Sequence, residues 1–185
     1  MTPLGFMDSL ARVLPDNVAV IEEAPTVCER YLERSGALPT ASGYFGHGGW
    51  ALGWGLGCAI GVRLAWPDRP VLAILGDGSA MYGIQGLWTA AHYRIPVTFV
   101  IGNNTEYRIL KDCARVLGLP AAMGDRFVGL DVVAPAIDYV GLAQSLGVAA
   151  RRVDQPDELS DVVQKSLAGD APQLIEVPLR SPRNG

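Results

Sequence analysis

The chain has 185 residues, 49% hydrophobic and 18% charged, with a net charge of −4. That length and apolar content suit one globular domain spanning residues 1–185 and exclude a disordered chain. The acidic balance and the lack of a basic run argue against nucleic-acid binding, and no uninterrupted run of ~18 apolar residues suggests a membrane span.

The charged share is low for a free-standing domain, so some apolar surface is expected to be covered by a partner. Cys28, Cys58 and Cys113 are odd in number and widely spaced, matching no zinc or CxxC pattern. Buried reduced thiols are the expectation. The N-terminus, MTPLGFMDSLARVLPD, has no signal-like apolar core, so a cytoplasmic location is expected.

In chain order, residues 3–14 read as a helix with Thr2 as N-cap, Pro3 at N1 and Phe6, Leu10 and Val13 as the apolar stripe. Val18 to Ile21 reads as a strand with Glu22-Glu23 at its carboxyl end; such a pair can do acid–base work or simply mark a turn. Pro25 opens a helix predicted to reach Arg34. Residues 36–49, GALPTASGYFGHGG, form a Gly-rich connector of ligand-facing composition. Trp50 to Trp66 is predicted as one helix, and its many glycines call for close packing, since glycine costs about 1 kcal/mol against alanine.

Val71 to Leu75 is short and apolar enough for a buried strand. Gly76-Asp77-Gly78 then breaks the run as a loop. Ile84, Leu87, Trp88 and Ala91 fall on one predicted helix face, with His92 near the helix end. Pro96 stops the helix, Val97 to Ile101 reads as a second buried strand, and Asn103-Asn104 follows. Residues 107–117 look helical, with Ile109, Leu110, Cys113 and Leu117 inward. Residues 118–137 lack periodicity and read as a long loop, a place for a lid. Asp138 to Leu146 is a helix ending at Gly147, Val148 to Val153 a strand, Pro156 to Ala168 an amphipathic helix, and Leu174 to Val177 a last strand. Alternating strands and helices predict an α/β fold: an open, doubly wound parallel sheet with helices on both faces.

The chemistry concentrates in residues 71–107. Strand, loop, helix and strand form a βαβ unit whose polar loops lie at the carboxyl ends of the strands, where open α/β sheets bind ligands. Asp77 offers an anionic oxygen and Asn104 a neutral carboxamide oxygen. Gly76 and Gly78 allow close backbone approach, and the amides of Gly78 and Ser79 precede helical sequence, where phosphate is attracted. A carboxylate, an amide oxygen, a backbone carbonyl and ligand phosphates make a suitable Mg²⁺ shell. An Asp-Gly pair can instead mark a hairpin turn, but helical rather than alternating sequence follows here.

The run GDGSAMYGIQGLWTAAHYRIPVTFVIGNNTEY resembles the cofactor motif of thiamine diphosphate enzymes, in particular benzoylformate decarboxylase and its acetolactate synthase relatives. The likeness covers only their C-terminal, diphosphate-binding domain. It implies thiamine diphosphate and Mg²⁺ as cofactors and a 2-oxo acid as substrate for decarboxylation or carboligation. The implied metal ligands are Asp77, Asn104 and the backbone carbonyl of Glu106. The implied cofactor contacts are Gly76, Gly78, Ser79, Tyr107, Leu52 (propping the cofactor in its bent shape) and the carbonyl of Trp50, where relatives often carry glycine. His47 could move protons, Leu52 could equally be helix core, and Tyr107 could cap a core edge. Relatives take an activating glutamate from a pyrimidine-binding domain, usually of another subunit, and residues 1–185 are expected not to include that domain. A homo- or hetero-oligomer, and no turnover by the chain alone, are therefore expected. Two other readings stay open: a non-catalytic cofactor-binding or assembly module of the same fold, and a nicotinamide dinucleotide site at Gly46, Gly48 and Ala51 with Asp68 downstream.

Overall fold

The structure is a computed structural model that describes residues 1–28, 30–38, 41–46 and 51–180. Its centre is a six-stranded, wholly parallel sheet of β1 (Ala19–Glu23), β2 (Tyr44–Gly46), β3 (Val71–Gly76), β4 (Thr98–Asn103), β5 (Ala149–Arg152) and β6 (Gln173–Pro178), in the order β2-β1-β3-β4-β6-β5. The chain leaves β1 toward one edge and returns to β3 on the other side of β1. The strand order therefore reverses there, opening a crevice at the carboxyl ends. Val71 to Leu75 and all of β4 are buried, as expected of parallel strands covered on both faces. The edge strand β5 reads AARR and is mostly exposed, and such charges blunt an edge against unwanted pairing.

Ten helices flank the sheet among the described residues: α1 (Pro3–Ala11), α2 (Pro25–Cys28), α3 (Tyr31–Arg34), α4 (Trp54–Ala65), α5 (Asp77–Ala80), α6 (Gly86–His92), α7 (Arg108–Val116), α8 (Pro120–Met123), α9 (Tyr139–Ser145) and α10 (Pro156–Leu167). Side-chain alternation along the strands feeds two cores. Leu72, Ile74, Val100 and Ile175 pack with Phe6, Leu10, Leu159 and Val163 of α1 and α10. Ala73, Leu75, Phe99 and Ile101 pack with Leu56, Leu87 and Ala143 of α4, α6 and α9. The doubly wound expectation is met. Thr2 caps α1, its Oγ1 accepting from Gly5 N at 3.1 Å.

Several expectations need correction. The helix expected from Pro25 to Arg34 is two short ones, because Arg30 turns left-handed at φ 57° and forks its guanidinium onto Glu33. The connector contains a 3₁₀ turn at Ala41–Gly43 and the edge strand β2, which is three residues long and too short to show alternation. Gly-Asp-Gly is not a loop: Asp77 begins α5 directly at the tip of β3. Helix α6 starts only at Gly86, after consecutive turns, and this shifts its phase. Leu87 and Ala90 are buried, whereas Trp88 faces outward and stacks on His92 at 4.7 Å. Cys28 is buried, but Cys58 is half-buried and Cys113 exposed.

Helix α4 begins at Trp54 rather than Trp50, and its entry explains only some of its glycines. The Glu23 carboxylate at the tip of β1 accepts from Gly53 N at 2.5 Å and Gly55 N at 2.8 Å, holding the helix N-terminus on the sheet. A Cβ on Gly55 would lie 2.6 Å from Glu23 Oε2 and 2.7 Å from Leu75 Cδ2, whereas one on Gly57 would meet nothing within 4 Å. Gly55→Ala should therefore destabilise the chain by about 1–3 kcal/mol through overpacking. Gly57→Ala should stabilise it by about 0.5–1 kcal/mol through helix propensity. Urea unfolding of both variants reads this, and equal shifts would mean that close approach does not decide the Gly55 position.

Candidate functional site

The parallel register sets Gly76 beside Gly102 and Glu23 beside Leu75, so the tips of β1, β3 and β4 end level. Asp77 is 4% exposed. The backbone N–H groups of Gly78 and Thr105 lie near enough to favour its charged form, while the Thr105 N–H itself donates to Asn103 Oδ1. Asp77 Oδ2 has neither solvent nor a hydrogen-bond partner, a costly state for a buried carboxylate. Burial pushes the Asp77 pKa up from 3.8 to about 6, against the pull of those N–H groups. Tyr139 Oη of α9 donates to the Asp77 backbone carbonyl at 2.8 Å, fixing the first turn of α5 from behind.

The two asparagines have different tasks. Asn103 is buried; its Nδ2 donates to Glu176 Oε1 at 2.7 Å and its Oδ1 accepts from Thr105 N at 3.0 Å. Asn104 is half-buried, and its Oδ1 accepts from Glu106 N at 3.1 Å. Between them and Glu106 stands Thr105 at φ 57°, an outlier for a β-branched residue. The bracing of this loop by Glu176 was not expected from sequence, because the partner lies 73 residues away.

Gly78 sits under the Tyr107 ring: a Cβ there would lie 2.6 Å from Tyr107 Cε1. This is close approach that only glycine permits. A Cβ on Gly76 would meet Ser79 Oγ at 2.9 Å. The Ser79 hydroxyl turns inward, donating to Glu23 O at 3.0 Å. Leu52 precedes α4 and is 42% exposed, so it is not helix core. Exposed Tyr82 packs on Gly53, the residue after Leu52, and Met81 is exposed as well. His47 and Trp50 lie outside the described residues. Of the Glu22-Glu23 pair, Glu23 is the α4 anchor, and Glu22 is buried with its pKa raised by desolvation, against the opposing influence of the nearby Tyr44 hydroxyl. A cavity of about 420 Å³ opens on the α1 and α2 side, with Asn104 in its wall and Met7, Val27, Cys28 and Leu179 among its apolar lining.

An open, doubly wound sheet with a carboxylate and two glycines at one strand tip and a braced asparagine loop at the next defines a ligand-binding α/β domain. Residues 28–177 match the family described as thiamine pyrophosphate enzyme, C-terminal TPP binding domain, and the chain belongs to that family. It is 36% identical over 181 residues to a benzoylformate decarboxylase of Pseudomonas aeruginosa, spanning 98% of this chain and 33% of that protein. It is 30% identical over 133 residues to an acetolactate synthase large subunit of Parasynechococcus marenigrum, spanning 72% of this chain and 21% of that protein. Among solved structures, a thiamine diphosphate-dependent 4-hydroxybenzoylformate decarboxylase of Rhodococcus jostii RHA1 superposes with a TM-score of 0.84 at 34% identity, over 97% of this chain and 33% of that one. The chain thus spans about a third of the length of these decarboxylases. Family membership sets the nicotinamide reading aside. Among the described residues, no helix is long and apolar enough to cross a membrane.

The buried carboxylate gives the chain a pH signature. A carboxyl with a pKa of about 6 when folded and 3.8 when unfolded binds its proton more tightly in the folded state. Its contribution to stability is full below the lower value and is lost as pH rises through the upper one. In magnesium-free buffer, Asp77→Asn should therefore exceed the parent in stability by about 1–3 kcal/mol at pH 7. The difference should shrink toward pH 4. Thermal unfolding at the two pH values measures this, and an equal difference at both would contradict the raised pKa.

Proposed function

We propose that this chain is the diphosphate- and magnesium-binding half of a thiamine diphosphate-dependent 2-oxo acid decarboxylase or carboligase. In this reading residues 1–185 form one domain, the location is cytoplasmic, and activity arises in an oligomer once a pyrimidine-binding domain is supplied. The observation that carries the proposal is the buried Asp77 Oδ2 without a partner. A group desolvated at such cost, beside a loop braced at Asn103 and Thr105, suits a hard cation. Among the described residues no three His, Cys, Asp or Glu side chains converge on a metal position. A site here would therefore rest on one carboxylate, neutral oxygens and ligand phosphates, the usual habit of Mg²⁺.

In this reading Asp77 Oδ2, the Asn104 carboxamide oxygen and the Glu106 carbonyl hold Mg²⁺. The amides of Gly78 and Ser79 receive the diphosphate, Gly76 lets the chain turn into α5, and the Tyr107 hydroxyl donates to the diphosphate from its place over Gly78. Leu52, exposed before α4, props the bent cofactor, and the Trp50 carbonyl receives its amino group. His47 moves a proton at the substrate. When bound, thiamine diphosphate supplies the electron sink that lets a 2-oxo acid lose carbon dioxide. The chain's own task is to fix position and charge.

The exposed apolar side chains Leu52, Met81, Tyr82, Leu110 and Leu117 support a covering partner over this half. The test is to mix the chain with a candidate pyrimidine-domain chain, Mg²⁺ and cofactor, and to assay carbon dioxide release from several 2-oxo acids. Activity is expected in the mixture and not with the chain alone. Asp77→Ala should lower it by at least roughly 10²-fold; retained activity would reject the magnesium assignment. Calorimetry showing no Mg²⁺-dependent cofactor binding in the mixture would favour a non-catalytic assembly module.

A further inference from the structure

Helix α7 is inside out. Leu110, Cys113 and Leu117, expected inward, are exposed, and the one buried residue of the helix is Lys111, at 7% exposure. An ammonium is expensive to bury unless it is paired and hydrogen-bonded. Here Nζ donates to Glu106 Oε2 at 2.6 Å and to Asp131 Oδ1, and lies 5.5 Å from the centre of the Phe127 ring. Those partners belong to two segments: Glu106 to the loop that follows β4, and Phe127 and Asp131 to the stretch expected from sequence to be a lid.

The backbone joins the same two segments. Tyr107 N donates to Leu130 O at 2.9 Å and Val132 N to Thr105 O at 2.7 Å, around an antiparallel bridge between Glu106 and Asp131. One turn further along α7, Arg115 bonds Asp125 at 2.8 Å and lies 4.8 Å from the Phe127 ring centre. All of this surrounds Thr105, whose left-handed backbone is strained and persists only if its neighbours over-determine it.

We propose that Lys111 is a positioning residue: it clamps residues 125–133 onto the 104–107 loop, so that this segment is a fixed wall that holds Thr105 in its strained turn. With the clamp closed, the Asn104 side chain and Glu106 carbonyl keep the directions needed for a shared cation. With it open, Thr105 relaxes and the Glu106 carbonyl swings away. The clamp deepens the proposed cofactor site and, for its effect on metal and diphosphate, rests on that reading.

The test uses the full chain carrying Lys111→Met, which keeps the apolar stem without the charge, and Lys111→Arg, which restores a cation. Asp131→Asn, at a half-exposed partner, weakens the clamp if Lys111→Met does not fold. Two readouts are taken: hydrogen exchange at the amides of Tyr107 and Val132, and Mg²⁺-dependent affinity for thiamine diphosphate by calorimetry with the pyrimidine-domain chain present. Lys111→Met, or Asp131→Asn in its place, should speed exchange at both amides by about tenfold or more and weaken cofactor binding by a similar factor. Lys111→Arg should restore most of both. Unchanged exchange, or fast exchange with unaltered affinity, overturns the proposal. If the parent binds no cofactor yet the variants speed exchange as expected, the cofactor reading fails while the clamp stands.

Discussion

A carboxylate enclosed by protein, with one oxygen left unpartnered, is the constraint around which the carboxyl edge of the sheet is arranged. Asp77 is held there by geometry rather than by an ion pair. The level tips of β3 and β4 bring the loop at Thr105 close enough for its backbone N–H to favour the charged carboxylate. Tyr139 fixes its backbone, and Glu23 pins α4 to the neighbouring strand tip. Each contact comes from a different element, so the cost of desolvating the carboxylate is borne by the sheet as a whole. Under the proposed function, a fold that keeps such a group in place would be preorganised for a cation, with neutral oxygens supplied by the loop after β4.

Much of the fold could be read from sequence because the information is local. Val71 to Leu75 and Val97 to Ile101 are uninterrupted apolar runs, and Pro156 to Leu167 carries Leu159, Val162 and Val163 at helical spacing. Errors arose where a distant partner or a single backbone angle decides the outcome. Arg30 breaks a helix by going left-handed, and the turns before Gly86 rotate Trp88 outward. In α7 the apolar pattern places Ile109, Leu110, Cys113 and Leu117 inward, yet only Ile109 is half-buried and the other three are exposed, because the carboxylates of Glu106 and Asp131 draw Lys111 inward.

The candidate site divides in the same way. Residue type and spacing single out Asp77 and Asn104 in a βαβ frame, and family membership agrees with that frame. The struts behind them carry no such local signal: Asn103 to Glu176 and Tyr139 to Asp77 join residues 73 and 62 positions apart. Apolar side chains just before α4 and after α5 (Leu52, Met81, Tyr82) and on or just after α7 (Leu110, Leu117) are exposed. That pattern agrees with a chain spanning only about a third of its decarboxylase relatives.

The most direct test of the account is the ionisation of Asp77, followed by carboxyl-resolved NMR with the pyrimidine-domain chain present. Without ligands the group should titrate near 6. With saturating Mg²⁺ and thiamine diphosphate it should stay ionised to much lower pH, because a bound cation favours the charged form. A titration unmoved by metal and cofactor together would contradict the claim that this buried oxygen is kept for a cation.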